Sequence, residues 1–111
     1  MRRFALALLL PITALSACSD KASVRGVEDA QVRLPAVSGN PGAAYFTLTG
    51  GAADDTMTEV SSPQAIRAEM HESKMDGGVM KMRPIAGGVP VPAGETVRFA
   101  PGGKHVMLFD I

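Results

Sequence analysis

Apolar and polar residues alternate along most of the chain in short runs that break at Pro, Gly or Asp. A period of two over a few residues, bounded by turn formers, predicts strands rather than helices. "VEDAQVRL" (27–34) alternates weakly and stops at Pro35. "AYFTLTG" (44–50) concentrates aromatic and β-branched residues and is the clearest strand by composition. "MTEV" (57–60) predicts a short strand that Pro63 ends with its loop. "AIRAEMHESKM" (65–75) and "VMKMR" (79–83) flank Asp76-Gly77-Gly78, a strong hairpin signal. Pro92-Ala93-Gly94 marks a turn, and Pro101-Gly102 has the order of a type II turn between the strands "TVRF" and "HVMLF". No stretch has the 3.6-residue period of a helix of ordinary length, and no repeat is present. The pattern indicates an all-β domain, a β-sandwich or small barrel. The chain stops at Ile111, in or just after a strand, so either something covers that sheet edge or the sandwich lacks its last strands.

Side chains alternate between faces along a strand. Ile66, Ala68 and Met70 therefore share one face, which is apolar and expected to meet the core. Arg67, Glu69, His71, Ser73 and Met75 share the other. With a two-residue turn at Asp76-Gly77, Met75 faces Gly78, Ser73 faces Met80 and His71 faces Met82. A turn at Gly77-Gly78 changes the partners but keeps His71, Met75, Met80 and Met82 on one side. Methionines on a solvated face gain little from burial, which points to the sulfur as their purpose.

The N-terminus carries an address rather than a fold. Arg2 and Arg3 precede the apolar run "FALALLLPITA", which has signal-peptide length and is too short for a stable membrane span. It ends in "LSAC", small residues before Cys18, similar to the lipobox of bacterial lipoproteins. Residues 1–17 are expected to be removed, Cys18 to be lipidated, and residues 18–26 to tether a domain at 27–111 outside the cytoplasm. The competing reading is an ordinary secretory signal that contains a Cys. Removing residues 1–17, which hold two Arg and no acid, takes the balance from 11 basic and 11 acidic residues to a net charge of −2. No basic patch argues for nucleic acid. Cys18 is the only cysteine, so a lipidated chain has no thiol for redox chemistry, catalysis or a blue-copper centre.

Against that background the second histidine matters. His105 and Met107 lie two apart on "KHVMLF" and share a face. Laid beside the hairpin, this strand completes a set of two His and two Met. Imidazole and thioether together select Cu(I) over Mg, Ca or Mn, while zinc sites favour Cys, His and carboxylate. Each part has a plainer reading: a Met pair in a β-protein is usually core, and a lone strand His is usually solvated or hydrogen-bonded. No Ser-His-Asp set, paired carboxylates or phosphate-binding loop indicates an enzyme. The readings left are a Cu(I)-binding protein and a structural or interaction lipoprotein with a Met-rich surface.

Four runs, "DAQVRLPAVSGNPGAAYFTL", "SSPQA", "MHESKMDGGVMKMRP" and "VPAGETVRFAPGGKHVML", together resemble the periplasmic copper chaperone family PCuAC. The family motif is a His, about ten residues, a Met, about twenty-one residues, then His-x-Met. Here ten residues separate His71 from Met82 and 22 separate Met82 from His105, which a one-residue insertion or the choice of Met80 would explain. The resemblance implies a cupredoxin-like Greek-key β-sandwich, here without its last strands. It implies one Cu(I) per chain held by His71, Met82, His105 and Met107, with Met75 and Met80 as auxiliaries. It further implies copper delivery in the periplasm to the CuA centre of cytochrome c oxidase, subunit II, alongside a Sco-type thiol protein, with the membrane reached through the lipid anchor.

Overall fold

The computed structural model describes residues 24–111. The signal segment, Cys18 and most of the expected tether lie outside the described residues. Eight strands follow in chain order: β1 (Val24–Arg33), β2 (Gly42–Gly50), β3 (Asp55–Met57), β4 (Arg67–Asp76), β5 (Val79–Pro84), β6 (Val89–Val91), β7 (Thr96–Phe99) and β8 (Lys104–Phe109). Among the described residues there is no helix. Strand β1 begins at Val24, so the last three residues assigned to the tether belong to the sheet.

Six strands form one sheet in the order β1-β2-β7-β8-β4-β5, and β3 pairs with β6 in a second, two-stranded sheet. The small sheet packs against one face of the large one. The core between them is Leu48, Met70, Val89, Val91, Phe99, Val106 and Leu108. Its members follow the parity of their strands: Met70 on β4 pairs across the ladder with Val106 on β8, and Phe46 pairs with Phe99. The two phenyl rings stack with centroids 4.5 Å apart. The result is an all-β, sandwich-like fold in which one layer is much smaller than the other.

Several expectations shift by a few residues. "MTEV" gives way to Asp55–Met57, and "VPV" (89–91) is a strand whose outer residue, Pro90, is exposed. Both of its valines are buried, which is what a period of two with proline on the outside achieves. Ile66, expected in the core, is 81% exposed: it precedes β4, where the alternation of β4 does not yet govern it. The type II turn at Pro101-Gly102 is present, with Gly102 at φ 83° and Gly103 N–H donating to the Ala100 carbonyl at 3.1 Å. It does not join a hairpin. β7 and β8 run in the same direction, both antiparallel to β2, and residues 100–103 bulge out between them.

The β4–β5 hairpin turns at Gly77-Gly78 rather than Asp76-Gly77, with Met75 opposite Met80, Ser73 opposite Met82 and His71 opposite Pro84. Both central residues have positive φ, 59° and 81°. A type I′ turn requires that at both positions, and two glycines adopt it without a Cβ penalty, whereas Asp76 would have carried one.

Candidate metal site

The face of the large sheet that turns away from the core carries the odd residues of β4 and β8. They form three cross-strand pairs: Arg67 with Phe109, Glu69 with Met107, and His71 with His105. The two imidazoles lie 6.0 Å apart, centroid to centroid, and tilt by 33°. Met82 comes from β5, one pair further along, opposite Ser73. Met82, His105 and Met107 line one open cleft of about 270 Å³ together with Ser73, Tyr45 and Pro101. The bulge between β7 and β8 supplies the Pro101 wall.

Of the residues expected to bind metal, His71, His105, Met82 and Met107 therefore converge on one part of one face. His71 meets the cleft through its neighbour His105. The direct opposition of His71 and Met82 does not occur, because the turn is one position later than Asp76-Gly77. Met75 and Met80 lie on the same face but toward the hairpin tip, outside the cleft.

Burial divides the set. His105 is 7% exposed and the His71 side chain 12%, whereas Met82 and Met80 are each 53% exposed and Met75 63%. The histidines are thus far less solvated than a strand on an open face suggests, since the 100–103 bulge and the neighbouring side chains cover them.

Hydrogen bonds fix how each ring is oriented. His105 Nδ1 lies 3.0 Å from the Gly103 carbonyl, and a carbonyl only accepts, so Nδ1–H donates. The same carbonyl accepts the Ser73 N–H at 3.1 Å, which ties the bulge to β4. His71 Nε2 lies 3.0 Å from Glu69 Oε2. The hydrogen bond from His71, with a smaller contribution from the charge of Arg67, holds the Glu69 carboxyl below the usual carboxylate range. A carboxylate also only accepts, so Nε2–H donates to it. Glu69 is held in turn by Arg67 Nε at 2.6 Å, and the Arg67 guanidinium sits over the Phe109 ring at 4.0 Å.

Each imidazole therefore has one nitrogen spent and one left. His71 Nδ1 and His105 Nε2 are both buried and have no hydrogen-bond partner among the described residues. Buried polar atoms are nearly always paired, and an orphan calls for a cause. The pattern is the one ligating histidines have, which characteristically donate their other N–H to a carboxylate or a backbone carbonyl. One ring here uses each kind of partner. Among the described residues no group of three or more His, Cys, Asp and Glu is placed to hold a metal ion; the side chains lining the cleft beside the two imidazoles include the thioethers of Met82 and Met107. Sequence reasoning placed Glu69 and Arg67 on this face without giving them a role. The signal was the carboxylate two residues before a strand histidine, on the same side.

The fold and site define a small sandwich-like β-domain with a cleft lined by Met82, His105 and Met107 on its open sheet face. Residues 26–111 match a family model described as "Putative lipoprotein LpqE-like", and the chain belongs to that lipoprotein family. It is 28% identical over 87 residues to "Putative lipoprotein Lxx21020" of Leifsonia xyli subsp. xyli (strain CTCB07), covering 78% of this chain and 52% of that protein. The chain thus spans about half the length of the curated relative it matches. These matches overturn the assignment to the PCuAC family. The runs that carried that resemblance are mostly strands and Pro-Gly turns, which short-stranded β-domains share for physical reasons, and the His–Met spacing was already one residue long.

Proposed function

We propose that this protein is an extracytoplasmic, membrane-anchored lipoprotein that binds one Cu(I) per chain and passes it to an acceptor protein. The observation that carries this reading is the pair of buried, unpartnered nitrogens, His71 Nδ1 and His105 Nε2, on adjacent rings beside two thioethers. His71, His105, Met82 and Met107 are the ligands, and Glu69 and the Gly103 carbonyl orient the two rings. Two imidazoles and two thioethers make a soft, neutral donor set that favours Cu(I) over hard divalent ions. The half-exposed Met82 leaves one side of the ion open to an incoming ligand, which suits a carrier that must release its cargo. Membership of a lipoprotein family supports the anchoring, and Cys18 is the residue proposed to carry the lipid. Delivery to the CuA centre of cytochrome c oxidase and residence in the periplasm came only with the PCuAC resemblance, which the family match overturns.

Anaerobic Cu(I) titration of the protein against a chromophoric chelator tests the reading, beside a His71→Ala/His105→Ala variant. One-to-one binding strong enough to take copper from the chelator, lost in a folded variant, is the expected result. A folded wild-type protein that leaves all copper on the chelator would favour an interaction lipoprotein whose Met-rich surface meets a partner.

A further inference from the structure

The hairpin tip carries three methionines that the cleft does not account for by burial. Met75 and Met80 are directly opposed, and Met82 follows Met80 by two residues on the same strand and face. All three are more than half exposed. Directly opposed residues have Cβ atoms about 4.5–5.5 Å apart, and same-face residues along a strand are about 6.6 Å apart. Each methionine has three rotatable bonds beyond its Cα, so the three sulfurs can converge above the sheet. The hard donors nearby are committed elsewhere: Asp76 accepts from Lys81 at 3.0 Å and Arg83 at 3.4 Å. On this face of the hairpin tip the side chains are Met75, Met80 and Met82, with the Ser73 hydroxyl opposite Met82.

We propose that Met75, Met80 and Met82 form a second, outer site for a soft monovalent ion, Cu(I) or Ag(I), that shares Met82 with the histidine cleft. Three neutral sulfurs offer nothing to a hard divalent cation and bind a soft monovalent one. Because Met82 lines the cleft beside His105 and Met107, an ion can leave the imidazoles while still held by Met82 and be taken up by Met75 and Met80. The outer site stands on its own geometry; the handover rests on the Cu(I) function proposed above. Solvent exposure of the outer site makes it the point at which an acceptor first meets the ion.

The test uses the full chain with its methionine methyl groups ¹³C-labelled, under anaerobic conditions. Ag(I) added to His71→Ala/His105→Ala should shift the Met75, Met80 and Met82 methyl signals together and leave the core Met70 in place. In the wild-type chain, which avoids any folding defect of that variant, Ag(I) beyond one equivalent should shift the Met75 and Met80 methyls. Met75→Leu/Met80→Leu keeps the apolar volume at two exposed positions. It should abolish binding of Ag(I) beyond one equivalent while the first equivalent still binds at the cleft. It should also slow copper exit to bathocuproine disulfonate about tenfold, by removing the stepping site. Methyl signals that ignore Ag(I), or an unchanged exit rate in the Leu variant, would overturn the proposal. So would loss of equilibrium binding in that variant, since these methionines would then belong to the primary site. A wild-type chain whose tip methyls respond while its cleft binds no Cu(I) would sink the proposed function and leave the outer site standing.

Discussion

Glu69 fixes the orientation of a strand histidine and leaves it one defined free nitrogen. It takes the Nε2–H of His71 and is itself clamped by Arg67 over Phe109. Removing such an orienting partner typically costs 10- to 100-fold in metal affinity. Glu69→Ala should therefore weaken Cu(I) binding by about tenfold or more, with the circular dichroism spectrum unchanged; a chelator competition reads the first and far-UV spectra the second. The methionines separate in the same assay. Met82 lines the cleft with His105, while Met80 lies beyond it. Met82→Leu preserves shape and removes sulfur, so it should lower affinity clearly, and Met80→Leu should leave it nearly unchanged. Equal losses in the two variants would mean that Met80 is the hairpin ligand. Strand parity placed His71 with Met82 on one face of the hairpin and His105 with Met107 on one face of their own strand. It did not bring His71 opposite His105, because that depends on β8 lying next to β4, a pairing of residues 34 positions apart that no local pattern encodes.

At the scale of elements, two turns decide which side chains reach the cleft. Gly77 and Gly78 occupy the two positive-φ positions of the hairpin and set its parity, and the Pro101-Gly102 bulge walls the cleft and presents the Gly103 carbonyl to His105. Turn chemistry was legible in the sequence because Gly and Pro declare their backbone preferences locally. The type II turn was recognised, but its consequence was not. A turn between two strands reads as a hairpin, whereas here β2 is long enough to pair with β7 and then β8 along one side, leaving the turn as an excursion. The short β3 and β6 were misplaced or missed for a related reason: three-residue strands carry too few alternations to stand out, and the Pro at position 90 masks one of them. Parity makes a sharp prediction for the hairpin. One extra Gly between Gly77 and Gly78 shifts the β5 register by one, and a one-residue slip moves every side chain to the other face. Met80 and Met82 should then leave the site. Cu(I) affinity should fall to that of Met82→Leu, and cross-strand nuclear Overhauser effects should show β4 and β5 still paired. Wild-type affinity in a chain with the shifted register would remove Met82 from the ligand set.

The whole molecule keeps its core and its site on opposite faces of one sheet, so stability and binding should be separable. The small β3–β6 layer covers the core face, where Val89, Val91 and Leu48 are buried. The other face carries the imidazoles and thioethers. Leu48 lies on β2, is 5% exposed and contributes nothing to the cleft. Truncating a buried leucine to alanine costs about 2–5 kcal/mol through lost transfer energy and the cavity left behind. Leu48→Ala should lose that much in urea unfolding, yet bind Cu(I) with affinity within about twofold of wild type wherever it is folded. The converse coupling must also hold. An ion that binds only the folded chain stabilises it by RT ln(1 + [L]/Kd), about 2.7 kcal/mol at a hundredfold excess over Kd. Free Cu(I) buffered at that level should raise the unfolding midpoint of both the wild-type chain and Leu48→Ala by the same free energy, and raise that of His71→Ala/His105→Ala, which keeps only the outer methionines, by clearly less. A gain in Leu48→Ala much smaller than in wild type would show that the core defect reaches through the sheet to the histidines. The two faces would then act as one cooperative unit, and the thin second layer would be part of what positions the site.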